Sequence, residues 1–147
     1  MNVITTFTEK KREKQIKYEK SVLREISIKA LKEKIQQYFG SSRFVSGLMM
    51  NRGIEEACYD VAIEAYLLGA NFSHFGIYGE TIDNVKNRCR KEEQHLIDTL
   101  YHFLLYWGHG EEGVMGESLY YLCEQYVCSW WMDGYQKGER RHKLRLH

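Results

Sequence analysis

Apolar residues recur at three- and four-residue steps along almost all of this 147-residue chain, and this spacing limits the possible folds more than any other feature. After Ser27, a residue suited to a helix N-cap, Ile28, Leu31 and Ile35 follow this spacing. No segment alternates apolar and polar residues between turn residues, as a strand would. The chain also contains no proline that would break a helix. The pattern predicts an all-α fold, an antiparallel helical bundle of four main helices plus one or two short helices.

Glycines predict where the first two long helices end. Residues 1–20 form a charged, helical N-terminal segment, and the helix that follows it is expected to stop at Gly40. A second long helix from about Arg52 is expected to stop at Gly69, with the aromatic residues 69–80 forming a loop. At each of these stops the chain is expected to leave the helix through a glycine in the left-handed conformation.

The second half of the chain is predicted to hold two more main helices. Thr81 is suited to cap a third helix that runs unbroken to Trp107. The fourth carries the aromatic stretch 119–132 and leads into a basic C-terminal tail, residues 134–147. No repeat or low-complexity linker divides the chain, so residues 1–147 are predicted to form a single helical domain.

Charge is distributed unevenly along the chain although its formal net charge is only +1. Residues 1–40 carry ten Lys/Arg against five Asp/Glu, residues 41–133 carry six against 14, and residues 134–147 carry five against one. The basic first helix could pack on acidic helix faces, such as the ridge that Glu56, Asp60 and Glu64 form at four-residue spacing. Alternatively, one basic end binds an anionic partner.

Composition and cysteine usage favour a cytoplasmic protein. Apolar residues make up 44% of the chain and charged residues 28%, which is ordinary for a globular domain. Neither the apolar region of a signal peptide nor an uncharged run long enough for a transmembrane segment is present. The four cysteines form no C-x-x-C pair and are predicted to be reduced, with Cys128, on the polar side of its helix, the most accessible.

Two stretches are apolar or aromatic on nearly every face, residues 100–108 and 119–132. A helix of this kind must be covered on all sides. Because a four-helix bundle has no central position, the cover is a second copy of the chain, the aromatic loop 69–80 or the N-terminal segment, and the second copy is preferred. We therefore predict a homodimer.

Gly108, Gly110 and Gly113 have the G-x-G-x-x-G spacing of a dinucleotide-binding turn. They follow a predicted helix, however, and the turn works only between a strand and a helix. Glu111 and Glu112 would also repel a phosphate. The motif is interpreted as a turn between helices, and no cofactor is predicted.

A carboxylate and histidine metal site is a minor alternative. Glu92 and His95 form an E-x-x-H pair of the kind used by di-iron helical bundles, and Glu64 on the preceding helix could add a ligand. The second such pair, Glu139 and His142, lies among cations that would oppose a metal ion. No metal and no catalytic residue are predicted, because no serine, cysteine or threonine has a nucleophile's surroundings.

The C-terminal residues suggest a binding site, because aromatic side chains there stand beside cations. Proteins that bind nucleic acids combine stacking surfaces with phosphate-binding cations, and a basic helix that meets an acidic protein or an anionic membrane looks similar. The tryptophans could also belong to the core. The candidate binding residues are Trp130, Trp131, Tyr135, Lys137, Arg140, Arg141, Lys143 and Arg145.

The full length of the chain resembles a small family of uncharacterised helical proteins from Bacillus-type bacteria. The resemblance rests on the opening MNVITTFTEKK, the helix SIKALKEKIQQYFG and the closing KLRLH. It implies a cytosolic bacterial protein and carries no activity or site residues over to this chain. The sequence thus favours a non-catalytic interaction or regulatory protein that uses aromatic helix surfaces and the basic tail, with a nucleic-acid-binding protein and a metal-binding bundle as alternatives.

Overall fold

The computed structural model of the protein describes residues 3–24, 26–40, 52–107 and 114–146, with side chains described over 8–24, 26–40, 53–106 and 118–144. No described residue belongs to a strand, so the predicted all-α class is confirmed. The described helices are α1 (Val3–Leu23), α2 (Ile28–Phe39), α3 (Arg52–Ile77), α4 (Ile82–Arg88), α5 (Arg90–Trp107) and α6 (Val114–Leu146).

The ends of α2 lie where local chemistry predicts them. The Ser27 side chain accepts a hydrogen bond from the Ala30 amide at 3.0 Å, which satisfies one of the free amides of the first turn. Leu31, Ile35 and Phe39 form the buried face. The helix ends at Gly40 as expected, but the predicted left-handed exit is wrong, because Gly40 has φ −63° and ψ −28°.

Helix α3 continues through Gly69 to Ile77, so the predicted stop and the predicted loop over residues 69–80 are both wrong. Gly69 instead permits close packing. A Cβ atom there would lie 2.0 Å from the Trp131 carbonyl oxygen of α6. The left-handed glycine of this region is Gly79, with φ +100°, two residues after the helix ends.

The predicted third helix is two helices, α4 and α5, separated at Cys89. Thr81 caps α4 as predicted, its side chain accepting a hydrogen bond from the Asn84 amide. The Cys89 amide bonds to the Lys86 carbonyl, three residues back, in the tighter pattern common at helix ends. With φ −112° at Cys89 the helix axis breaks, and the prediction of one unbroken helix is wrong.

The two longest helices, α3 and α6, form the most extensive contact of the fold and run in the same direction. Residues 68 positions apart meet along it. The Tyr126 hydroxyl bonds to the Cys58 carbonyl, and Gly134 packs on Tyr66. A Cβ on Gly134 would lie 1.9 Å from the Tyr66 carbonyl oxygen, so the two backbones touch.

Helix α6 lies at the centre of the fold, where α2, α3 and α5 all pack on it. This arrangement covers most of the aromatic surface of residues 119–132 within one chain. Tyr126, Val127 and Trp131 are fully buried, whereas Tyr121 is 60% exposed. Most of this stretch is therefore covered within one chain, because α6 has the central position that a simple four-helix bundle lacks.

Candidate functional site

The two basic ends of the sequence lie against each other. The rings of Tyr18 on α1 and His142 on α6 are 6.0 Å apart. The Arg141 guanidinium reaches α1 and donates hydrogen bonds to the Ser21 hydroxyl and, at 2.9 Å, to the Ser21 carbonyl. The last turns of α6 and the second half of α1 thus form one joint surface.

Exposed cations are frequent at the end of α6 and along the preceding turns of α1, and we call these two segments together the basic end. All side chains from Thr8 to Lys17 are exposed, and Gln15 of this stretch donates a hydrogen bond to Asn71 of α3 at 3.2 Å. Arg140 and Lys143 are also exposed, and Lys137 is half-buried. The cations of the basic end are Lys10, Lys11, Arg12, Lys14, Lys17, Lys137, Arg140 and Lys143.

The three aromatic candidates are buried and are not exposed at the surface of the basic end. Trp130, Trp131 and Tyr135 are 2%, 0% and 1% exposed. The rings of Trp131 and Tyr135 stack in the core with centroids 5.2 Å apart. They offer no face to a base. Arg141 is half-buried against α1, and the Arg145 side chain lies outside the described residues.

Three of the candidate binding residues line a cavity of about 260 Å³ next to the basic end. Trp130, Lys137 and Arg140 line it together with Lys34 of α2. The Lys34 ammonium lies 2.7 Å from the Asp133 carboxylate and 4.7 Å from the centre of the Trp130 ring. Lys34 was not among the residues predicted from the sequence, where its one signal was its position next to the apolar Ile35.

The three residues of the alternative metal site, Glu64, Glu92 and His95, line one cleft of about 520 Å³ between α1, α3 and α5. Glu19 and Asn71 join α1 to α3 at its edge through a side-chain hydrogen bond of 3.4 Å. All three candidate ligands are exposed. Within the described side chains, no group of three His, Cys, Asp or Glu residues is placed to hold a metal ion.

A third cavity, of about 460 Å³, lies between α4, α5 and α6. In its wall the Lys86 ammonium donates a hydrogen bond to Cys128 Sγ at 2.7 Å and pairs with the Glu93 carboxylate at 3.3 Å. Burial tends to lower the pKa of Lys86, but Cys128 and Glu93 outweigh burial and hold that pKa above its ordinary value.

The remaining cysteines are core residues. Cys58, Cys89 and Cys123 are buried, whereas Cys128 is partly exposed, which confirms the prediction that it is the most accessible. Burial, followed by the charge of Glu55, raises the pKa of Cys58 to about 12. A thiol in such surroundings stays protonated and inert.

Other sequence candidates lie at the surface or outside the described residues. Glu56, Asp60 and Glu64 are all exposed on α3, as a solvated ridge would be. The glycine motif 108–113 is outside the described residues. Among the helices described, none is both long and apolar enough to cross a membrane.

Comparison with known proteins gives one family and one curated relative. The model of the family described as "Protein of unknown function (DUF2521)" matches residues 1–147. The chain is 30% identical to "Uncharacterized protein YbaK" of Bacillus subtilis over 148 residues, which cover 99% of each chain. These matches confirm the resemblance found in the sequence. No solved structure is significantly similar.

Proposed function

The chain belongs to the DUF2521 family, and because the description of that family assigns no activity, we propose a function from the molecular surface. The protein is a non-catalytic interaction protein that binds an acidic partner protein through its basic end. One observation carries this proposal. The rings of Tyr18 and His142 lie 6.0 Å apart, which supports a single basic surface built from both ends of the sequence. Such a surface steers and orients an acidic partner.

The charge pattern favours an acidic protein over a nucleic acid. Glu9, Glu13 and Glu139 interrupt the cations of α1 and α6, and their carboxylates would repel a continuous phosphate backbone. The aromatic side chains that could stack on bases are buried. A protein surface with mixed charges can match both signs.

Binding to defined probes tests the proposal. We expect a labelled poly-glutamate peptide to bind more tightly than a DNA duplex of equal charge, with salt weakening both. The variant Lys10→Glu/Lys14→Glu should weaken peptide binding about tenfold or more, since it reverses two exposed charges of the basic end. The matched control Lys29→Glu/Lys32→Glu reverses two exposed charges on α2 and should leave binding within about twofold.

Two results would contradict the proposal. Equal weakening in both variants would show that only net charge matters. Tighter binding of the duplex would favour the nucleic-acid alternative.

We also propose that the protein is a cytoplasmic homodimer and that its four main helices form a bundle. Four free thiols suit a reducing compartment. The antiparallel α2–α6 and α5–α6 neighbours support a bundle, although the parallel α3–α6 pair departs from a simple up-and-down order. Exposed Tyr106 and Tyr121, at 79% and 60%, are the apolar side chains that a second copy would cover. Light scattering of the purified chain tests the dimer, and the mass of a monomer would contradict it.

A further inference from the structure

The cavity between α4, α5 and α6 contains a reactive arrangement that the proposed function does not use. Each of the three helices contributes one member: Lys86, Glu93 and Cys128. We propose that Cys128 is a redox modification site, at which a small neutral hydroperoxide oxidises the thiolate to a sulfenic acid with the assistance of Lys86.

Cys128 differs from the other cysteines in its access to a cavity and in its charged hydrogen-bond partner. Cys128 lines a cavity of about 460 Å³, and its sulfur accepts a hydrogen bond from an ammonium at 2.7 Å. Hydrogen bonds to a charged group are among the strongest in proteins, and this one holds a cation against the sulfur. Cys58, Cys89 and Cys123 are buried and have no such partner in the hydrogen bonds described.

Packing holds the lysine in place. The Lys86 ammonium lies 5.3 Å from the centre of the Trp131 ring, and Trp131 is fully buried. The Glu93 carboxylate, 3.3 Å away, anchors the same ammonium from α5, and its side chain is only 13% exposed. Lys86 is therefore held between the ring, the carboxylate and the sulfur, and does not sweep freely through solvent.

The charges around the cavity select the oxidant. Lys86 and Arg90 are its cations, and Asp83, Glu93 and Glu124 are its carboxylates. With more carboxylates than cations, the cavity disfavours an anionic oxidant. Hydrogen peroxide or a small alkyl hydroperoxide carries no charge and meets no such barrier.

The proposed oxidation involves the Cys128 thiolate, the hydroperoxide and the Lys86 ammonium. The thiolate sulfur attacks one oxygen of the hydroperoxide, so that an S–O bond forms and the O–O bond breaks. Sulfur is oxidised by two electrons and the hydroperoxide is reduced to an alcohol or to water. The leaving oxygen takes a proton from the Lys86 ammonium, which regains one from solvent, and the product is the sulfenic acid.

Alkylation of the native full-length protein by iodoacetamide, mapped by peptide mass spectrometry, tests the role of Lys86. We expect Cys128 to be labelled before the three other cysteines. Lys86→Gln should slow labelling of Cys128 about tenfold at neutral pH, because it removes the donor to the thiolate. Lys86→Arg keeps the charge and should restore most of the rate.

The chain offers a matched control in Lys34. Its ammonium lies over the neighbouring ring of Trp130 and bonds to the Ser129 hydroxyl, the residue after Cys128. Lys34→Gln should therefore leave labelling of Cys128 within about twofold. An unchanged rate in Lys86→Gln, or an equal loss in both lysine variants, would overturn the proposal.

The oxidation itself is tested with hydrogen peroxide followed by dimedone, which traps sulfenic acids. We expect a dimedone adduct at Cys128 in the wild type and a reduced yield in Lys86→Gln, with circular dichroism showing that both are folded. Failure of the folded wild type to form the adduct, or an adduct mainly at another cysteine, would overturn the proposal. Because none of these readouts involves the basic end, they are independent of the proposed function.

Discussion

The hydroxyl of Tyr126 on α6 donates a hydrogen bond to the backbone carbonyl of Cys58 on α3 at 3.0 Å, and both residues are completely buried. This bond lies within the most extensive helix contact of the fold. It gives the one polar atom of the Tyr126 side chain a partner where water is excluded.

Tyr126→Phe should lower the free energy of unfolding by about 1 kcal/mol, because the ring is kept and only the hydrogen bond is lost. Urea denaturation followed by circular dichroism measures this change. Tyr121→Phe, at a residue that is 60% exposed, should change the same quantity by less than about 0.5 kcal/mol. Equal effects of the two variants would show that the bond across α3 and α6 does not contribute.

Gly134→Ala should destabilise the protein by about 3 kcal/mol or more. The added Cβ would lie 1.9 Å from the Tyr66 carbonyl oxygen, and a backbone atom cannot move aside as a flexible side chain can. Gln136→Ala, at an exposed position of the same helix, should stay within about 0.5 kcal/mol of the wild type. Thermal denaturation of both variants distinguishes a close backbone contact from a general sensitivity of α6.

Stability should fall as the pH rises from about 9 to about 12. Burial and then the charge of Glu55 raise the pKa of Cys58 from 9.0 to about 12. Burial is also the main cause that raises the pKa of Tyr66 from 10.0 to about 12. In this window the folded protein keeps these protons while the unfolded chain loses them, so the stabilisation present below pH 9 is progressively lost.

A variant that lacks the Cys58 thiol should show how much this thiol contributes to the alkaline loss of stability. Cys58→Ala should make the alkaline decline shallower by up to about 1.4 kcal/mol per pH unit between pH 9 and 12. Urea titrations at several pH values give this slope. Below pH 8.5 the variant and the wild type should have the same pH dependence, and a parallel decline above pH 9 would contradict the assignment to Cys58.

Lys34→Gln should cost about 1–2 kcal/mol of unfolding free energy. The Lys34 side chain is 16% exposed, its ammonium lies 2.7 Å from the Asp133 carboxylate, and it also faces the Trp130 ring. Lys29→Gln removes an ion pair of 4.0 Å whose lysine is 86% exposed, and should cost less than about 0.5 kcal/mol. Similar losses in chemical denaturation would show that the half-buried lysine has no special role.

Local signals predicted the helix starts well. Ser27 and Thr81 act as caps through bonds to amides three residues ahead, a chemistry that needs no tertiary contact. The end of α3 could not be predicted in the same way. Glycine commonly ends a helix, so Gly69 looked like a stop. In the structure Gly69 instead lets α6 approach α3, and only the packed fold distinguishes these two roles.

Among the surface residues, too, some properties follow from local sequence and others only from the packing of the helices. Helical phase alone indicated that Cys128 is the accessible thiol. That Lys86 would lie against it, or that Trp130 and Trp131 would be buried beside cations, depends on how α4 and α6 pack. The spacing of Gly134 and Gly138 was a signal for close packing, because two small residues four apart share one helix face.

The parallel pairing of α3 and α6 has a consequence for how the chain reaches this fold. Its central contacts join residues 68 positions apart, such as Cys58 and Tyr126. Two helices that point the same way cannot meet through a tight hairpin, so the chain must first travel back along α5. The entropy of closing this long segment is lost before the Gly134 contact forms, which raises the contact order and slows folding relative to a bundle of adjacent hairpins.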